Sequence, residues 1–199
     1  MSVDPSAVAG QLSERVAARF GEVVQQAERR LQALQREVED MRAARGTVQW
    51  EVEGVGTWFL NIENGAMAVA DTALEPAFMA AVLSAADWER FASGAIAMSP
   101  LGPGGGRPMG KGRIDRVRAI KGSVRFVVNG LPDGDWAVTS YFGSDPRPPE
   151  PQTTITVAAA SLDKLQSGEL NPQMAFMQGQ VRFTGDAALA MQLGMAMMV

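Results

Sequence analysis

The chain opens on a helical pattern. The apolar positions Phe20, Val24, Ala27, Leu31, Leu34, Val38 and Met41 recur at alternating steps of four and three residues. That spacing is a heptad seam. The residues between them are mostly Glu, Gln and Arg, as a solvated helix face requires. Asp4-Pro5 is a helix start, an N-cap followed by proline in the first turn. The pattern runs on to Arg45, with Gly21 as the point where it kinks or divides. A helix from Leu12 to Arg45 would be roughly 50 Å long, more than one small domain covers. The seam therefore serves either self-association or packing on the sheet that follows. The length favours a homo-oligomer formed through residues 12–45.

The period then changes from helical to two. Val48, Trp50 and Val52 share one face of a first strand, and Trp58, Leu60 and Ile62 one face of a second. Asn64-Gly65 is a hairpin turn signal, so Ala66–Ala70 is the returning strand. Ala77–Leu83 reads as a further strand. Ser84, with Asp87 three residues later, caps a short helix through Phe91 that ends at Gly94.

Much of this order then occurs again. Residues 45–54 (RGTVQWEVEG) line up with residues 121–130 (KGSVRFVVNG), 76 positions on. Trp58 answers Trp136, Ala81-Val82-Leu83 answers Ile155-Thr156-Val157, and residues 88–94 answer 162–168. The chain divides accordingly into a helical segment (1–45), a truncated first unit (46–98), a Gly/Pro-rich linker (99–112) and a second unit (113–199).

Composition narrows the chemistry. Of 199 residues 46% are hydrophobic and 20% charged, a globular balance. The chain has no cysteine, hence no disulfide, thiol catalysis or zinc–thiolate site. It also has no histidine, which removes the commonest general base and metal ligand. Met1–Pro5 shows neither a basic nor an apolar leader region, and no apolar stretch is long enough to span a bilayer, so a cytoplasmic setting is expected.

The net charge of −4 is mild, but Arg107, Lys111, Arg113, Arg116, Arg118, Lys121 and Arg125 gather around a single Asp115. Few aromatics interleave them, so nucleic acid is not expected. The run reads as a solvated helix face with strand ends, or as a transient contact with an anionic membrane. Residues 105–112 approach a phosphate loop, but Gly112 stands where a hydroxyl should bind magnesium and Pro108 lacks an N–H. They read as a plain loop. The pairs Asp87/Glu89 and Asp163/Glu169 read as surface carboxylates, because no nucleophile and base accompany them. No enzyme activity and no cofactor are expected.

The C-terminal third carries the most specific signal. Leu162-Asp163-Lys164-Leu165 leads into residues 167–172 (SGELNP), then Ala175-Phe176-Met177, Gly179, a strand with Val181 and Phe183 on one face, Gly185-Asp186, and an apolar final helix. Asp186 N-caps that helix. From Asp186 to Val199 it is apolar on all sides apart from Gln192, so it must be buried or cover something apolar. Its methionines suit core packing, a subunit interface or a ligand of variable shape.

This order resembles the sterol carrier protein 2 family, the nonspecific lipid-transfer proteins. The resemblance implies an α+β fold: two such units, each a mostly antiparallel sheet with helices on one face, after the long N-terminal helix. The first unit departs from the pattern at residues 99–108, and in the second Ser144–Pro151 replaces the usual third strand, so that each unit would complete the other. The resemblance also implies a lipid or acyl-chain ligand, held without chemistry between sheet and C-terminal helix. Phe176, Met177, Val181, Phe183, Leu189 and Leu193 would line that cavity, faced by Trp136, Ile155, Val157 and Leu165. The alternative is an assembly protein in which the same fold serves as an oligomerisation module with a filled cavity.

Overall fold

The structure is a computed structural model that describes residues 6, 9–10, 13–96, 109–143, 146–167, 169–170 and 172–198. Residues 1–40 and 41–199 form two compact units. In the first, a π-helical turn at Ser13–Ala17 leads into α1 (Ala18–Arg42). No residue of α1 is buried, and Phe20, Val24, Leu31, Leu34 and Val38 of the seam are all exposed. The expected start at Asp4-Pro5 lies outside the described residues.

The second unit is built on one sheet. Its strands are β1 (Arg45–Val52), β2 (Gly56–Glu63), β3 (Ala66–Ala70), β4 (Met79–Leu83), β5 (Gly122–Asn129), β6 (Trp136–Phe142), β7 (Thr153–Ala158) and β8 (Val181–Gly185). Its helices are α2 (Ala85–Ala92), α3 (Lys111–Arg118), α4 (Ala159–Ser167), α5 (Pro172–Met177) and α6 (Ala187–Met198). The spatial order is β3-β2-β1-β4-β6-β5-β7-β8.

Local chemistry places most of these elements as expected. Asn64 (φ 54°) and Gly65 (φ 76°) turn β2 into β3, the left-handed pair that a tight hairpin needs. Ser84 caps α2, its Oγ accepting from Asp87 N at 3.1 Å and donating to Asp87 Oδ2 at 2.8 Å. Asp186 caps α6 by accepting from the N–H groups of Ala188 and Leu189.

The same set of pairings occurs twice. β1 is antiparallel to β2 and parallel to β4, while β5 is antiparallel to β6 and parallel to β7. Trp50 lies beside Ala81 as Phe126 lies beside Ile155, and Val52 beside Leu83 as Val128 beside Val157. The expected match of Trp58 with Trp136 is off by two residues. Trp58 sits across from Trp50, but Trp136 sits across from Val128, the place that Gly56 holds opposite Val52. The strands of both expected units lie in one sheet. β4 and β6 pair antiparallel, Ala80 with Tyr141, Ala81 with Ser140 and Val82 with Thr139. The expected linker is also shorter, since Lys111 and Gly112 already belong to α3.

One face of the sheet carries the core. Val48 and Val124 pack with Ile114 and Val117 of α3 and Leu189 and Leu193 of α6. Two and four residues further along the same strands, Trp50, Val52, Phe126 and Val128 pack with Leu162 of α4, and Phe91 of α2 lies against them. The opposite face is more polar. There Arg147 reaches Glu51 at 2.7 Å and lies over the Tyr141 ring. α6 is not wrapped on all sides: Met191 and Met195 are 61% and 60% exposed.

Candidate functional site

The residues expected to line a cavity are not brought to one place. Leu189 and Leu193 are buried in the cluster under α3 and α6. Trp136 and Val157 are buried in the other cluster, with Leu165 and Val181 packed at its margin. Ile155 touches both clusters. Phe176 stacks on Phe183, ring centroids 5.1 Å apart, yet Phe176 is 48% and Met177 81% exposed. Trp136 is 1% exposed, and its Nε1–H donates to the Asp87 carbonyl oxygen at 2.8 Å. An indole that is fully packed and hydrogen-bonded is a core residue.

An apolar cavity of about 570 Å³ lies instead over the first strands. It is lined by Trp50 and Val52 of β1, Val55 of the turn, Trp58 and Leu60 of β2, Val69 of β3, and Trp88 and Phe91 of α2. The alternation of β1 and β2 turns their lining residues to the helix-covered face. Ser84, by capping α2, sets Trp88 and Phe91 above them. The rings of Trp50, Trp88 and Phe91 meet at centroid distances of 5.7–6.1 Å, with Trp50 and Trp88 edge to face.

A single glycine helps to keep this space open. A Cβ on Gly56 would come within 3.0 Å of Trp58 Cη2, so the bare backbone there lets the Trp58 indole lie along its own strand. At the equivalent place beyond β5, Trp136 stands opposite Val128 and is buried among Phe126, Val138 and Leu162. One half of the sheet thus carries a glycine, and the other an indole, at matching positions. The sequence does hold a signal for the cavity: three of the four tryptophans fall between residues 50 and 88.

Polar groups elsewhere are largely engaged with one another. Asp87, expected at the surface, is half-buried and bonds Arg90 at 2.5 Å, while Arg90 also donates to the carbonyl oxygens of Gly134 and Asp135. In the basic run Lys111 pairs with Asp115 at 2.5 Å, Arg118 bonds Glu75, and Arg113 is buried. Arg116, Lys121 and Arg125 are exposed, and Arg107 lies outside the described residues. A more polar cavity of about 270 Å³ sits beside Arg125, Tyr141 and Glu150. Of residues 105–112, the first four lie outside the described residues, and Gly110 precedes α3 as its N-cap. Among the described residues no cluster of carboxylates could hold a metal ion. Nor, among them, is any helix long and apolar enough to cross a membrane.

Residues 111–198 match the family model of the SCP-2 sterol transfer family. Sterol carrier protein 2 of Oryctolagus cuniculus is 37% identical over an alignment of 84 residues that covers 39% of this chain. The chain spans only 15% of the length of that relative. Among solved structures, the sterol carrier protein domain 2 of Helicoverpa armigera has 26% identity and a TM-score of 0.33, covering 42% of this chain and 71% of that one. The palmitated SCP2L2 of Aedes aegypti has 18% identity and a TM-score of 0.34, covering 45% and 94%. These superpositions are too loose to bear on the fold. Residues 111–198 therefore form an SCP-2 family domain, with sterol carrier protein 2 homologues, and the aromatic cavity lies outside it.

Proposed function

We propose that this protein binds lipids or other extended apolar ligands and performs no chemistry on them. The aromatic cavity carries the reading. Its volume falls in the range of about 300–1,000 Å³ that small-molecule sites occupy. Among the described residues, eight apolar side chains and no charged one line it. Each methylene moved from water into such a site contributes about 0.8 kcal/mol, so an acyl chain can bind with few polar contacts. The SCP-2 family domain supports the same reading, since its relatives are named as sterol carriers. Contact with anionic lipid headgroups would fall to the exposed members of the basic run, Lys111, Arg116, Arg118, Lys121 and Arg125. A cytoplasmic setting belongs to the proposal, because a chain without cysteine needs no oxidising compartment.

The chain is further read as a fused pair of related units. In this reading β6 takes the place beside β4 that a fifth strand would hold in the first unit. In turn, β4 takes the place beside β6 of the third strand missing from the second. The doubled pairing register supports it.

Native mass spectrometry of the freshly purified protein, with solvent extraction, tests the binding. A defined lipid near one per chain is the expected result. A protein that stays empty after incubation with fatty acids, acyl-CoA, sterols and fatty alcohols would overturn it.

A second reading, assembly through α1, has its own observation. The heptad seam is exposed from Phe20 to Val38, and no residue of α1 is buried. A second copy of α1 is the partner that would cover it.

A further inference from the structure

β3 is the outer strand of the sheet, and among the described residues it pairs only with β2. It carries no charge and no proline, and its register with β2 runs without a bulge. Edge strands are ordinarily blunted by such devices or by a covering helix. β8, at the opposite edge, follows that rule: it carries Arg182, and Phe176 of α5 stacks on its Phe183. Met67 and Val69 of β3 are exposed. The hairpin fixes which backbone groups of β3 are open. A two-residue turn closes on a hydrogen-bonded pair, here Glu63 with Ala66. Pairs then alternate, so Ala66, Ala68 and Ala70 direct N–H and C=O to β2, while Met67 and Val69 direct theirs outward.

We propose that β3 pairs antiparallel with β3 of a second copy, about a two-fold axis at Ala68, and so continues the sheet across two chains. Met67 then faces the partner's Val69, and Val69 the partner's Met67, each pair exchanging two backbone hydrogen bonds. Ala68 meets the partner's Ala68 at a non-hydrogen-bonded position, where Cα atoms approach to about 4.5 Å and a small residue fits. Charge agrees with this register. Asp71, just past β3, falls opposite the partner's Gly65. Arg42 lies against Gly65, its Cγ 3.2 Å from where a Cβ would stand, so each Asp71 meets the partner's Arg42. Both side chains are exposed, and among the described residues neither is in an ion pair. The pairing also completes the aromatic cavity. Val69 lies across from Leu60 and Met67 from Ile62, on the helix-covered face, and Val69 lines the cavity. The partner's Met67 comes beside Val69 and adds a wall there. The pairing itself does not depend on what the cavity holds.

A five-residue seam is a small interface, so covalent capture reads it best. The chain has no cysteine, and Ala68→Cys or Ala66→Cys adds a single thiol on the same face of β3. Across the axis the two copies of position 68 stand about 4.5 Å apart, within the reach of a disulfide. The two copies of position 66 stand about 14 Å apart, beyond it. In oxidised glutathione buffer Ala68→Cys should form a covalent dimer at least about fivefold faster than Ala66→Cys. Equal rates, or no dimer from Ala68→Cys, would overturn the proposal. Met67→Pro removes an N–H that points away from β2, so it should leave the circular dichroism unchanged and slow the Ala68→Cys cross-link about fivefold. An undiminished rate would overturn the proposal, and should Met67→Pro fail to fold, the two cysteine positions still decide. Adding Leu31→Asp and Leu34→Asp to Ala68→Cys should leave the cross-link in place. Its loss there would assign the association to α1 and overturn pairing through β3.

Discussion

At the scale of single residues, glycines mark where backbones come close. Gly185 has φ +92°, and a Cβ there would run into the carbonyl oxygen of Gln152 and lie 3.2 Å from Thr153 Cα. Gly134 has a similar φ of +89° with nothing within 4 Å. Gly134→Ala should therefore cost about 1 kcal/mol, from backbone strain alone. Gly185→Ala should cost about 3 kcal/mol, from strain plus the clash with a fixed backbone. Urea unfolding of the two variants gives the difference, and equal losses would mean that β7 and β8 part easily. Gly185-Asp186 was readable as the end of a strand and the start of a helix. The approach of Gln152 was not, because it comes from residues 33 positions away, as the bond from Thr153 Oγ1 to the Asp186 carbonyl shows. Trp58 and Trp136 likewise look equivalent as letters. Only the register, which sets Gly56 rather than Trp58 at the place of Trp136, tells a cavity-lining indole from a core one.

At the scale of elements, periodicity carried most of the information. The alternation Val48, Trp50, Val52 gave β1 and its inward face, and all three are buried. The 4-3 spacing of α1 gave its length and seam, but no partner for them. If a second copy covers the seam, Leu31→Asp with Leu34→Asp should lower the mass seen by light scattering. Both residues are more than half exposed, so the fold of residues 41–199 should survive and show the same near-ultraviolet circular dichroism. An unaltered mass would remove assembly through α1. The final helix was harder to read. Its composition alone calls for burial on all sides, whereas Leu189, Leu193 and Ala196 form the buried stripe and Met191 and Met195 stay open. An apolar residue outside is common, so composition cannot locate a helix face that periodicity leaves blank.

At the scale of the whole sheet, the join between β4 and β6 decides how residues 41–199 hold together. That the units complete each other was legible from the missing third strand at residues 144–151, but not which strands meet, because a strand that ends one sheet and a strand that continues another read alike. Trp136 spans the same join by donating to the Asp87 carbonyl of α2. A fragment of residues 109–199 would lose both and leave the edge of β6 unpaired. It should self-associate on size exclusion, and a stable monomer would show that the join is dispensable.

The binding claim itself is tested most directly by tryptophan fluorescence of the intact protein with a brominated fatty ester, whose bromine quenches indoles it touches. Trp50, Trp58 and Trp88 line the cavity, while Trp136 is packed in the core. Saturable loss of most of the emission, reversed by dodecanol, is the predicted result. Emission that stays unquenched at saturating ester would contradict a ligand in the aromatic cavity.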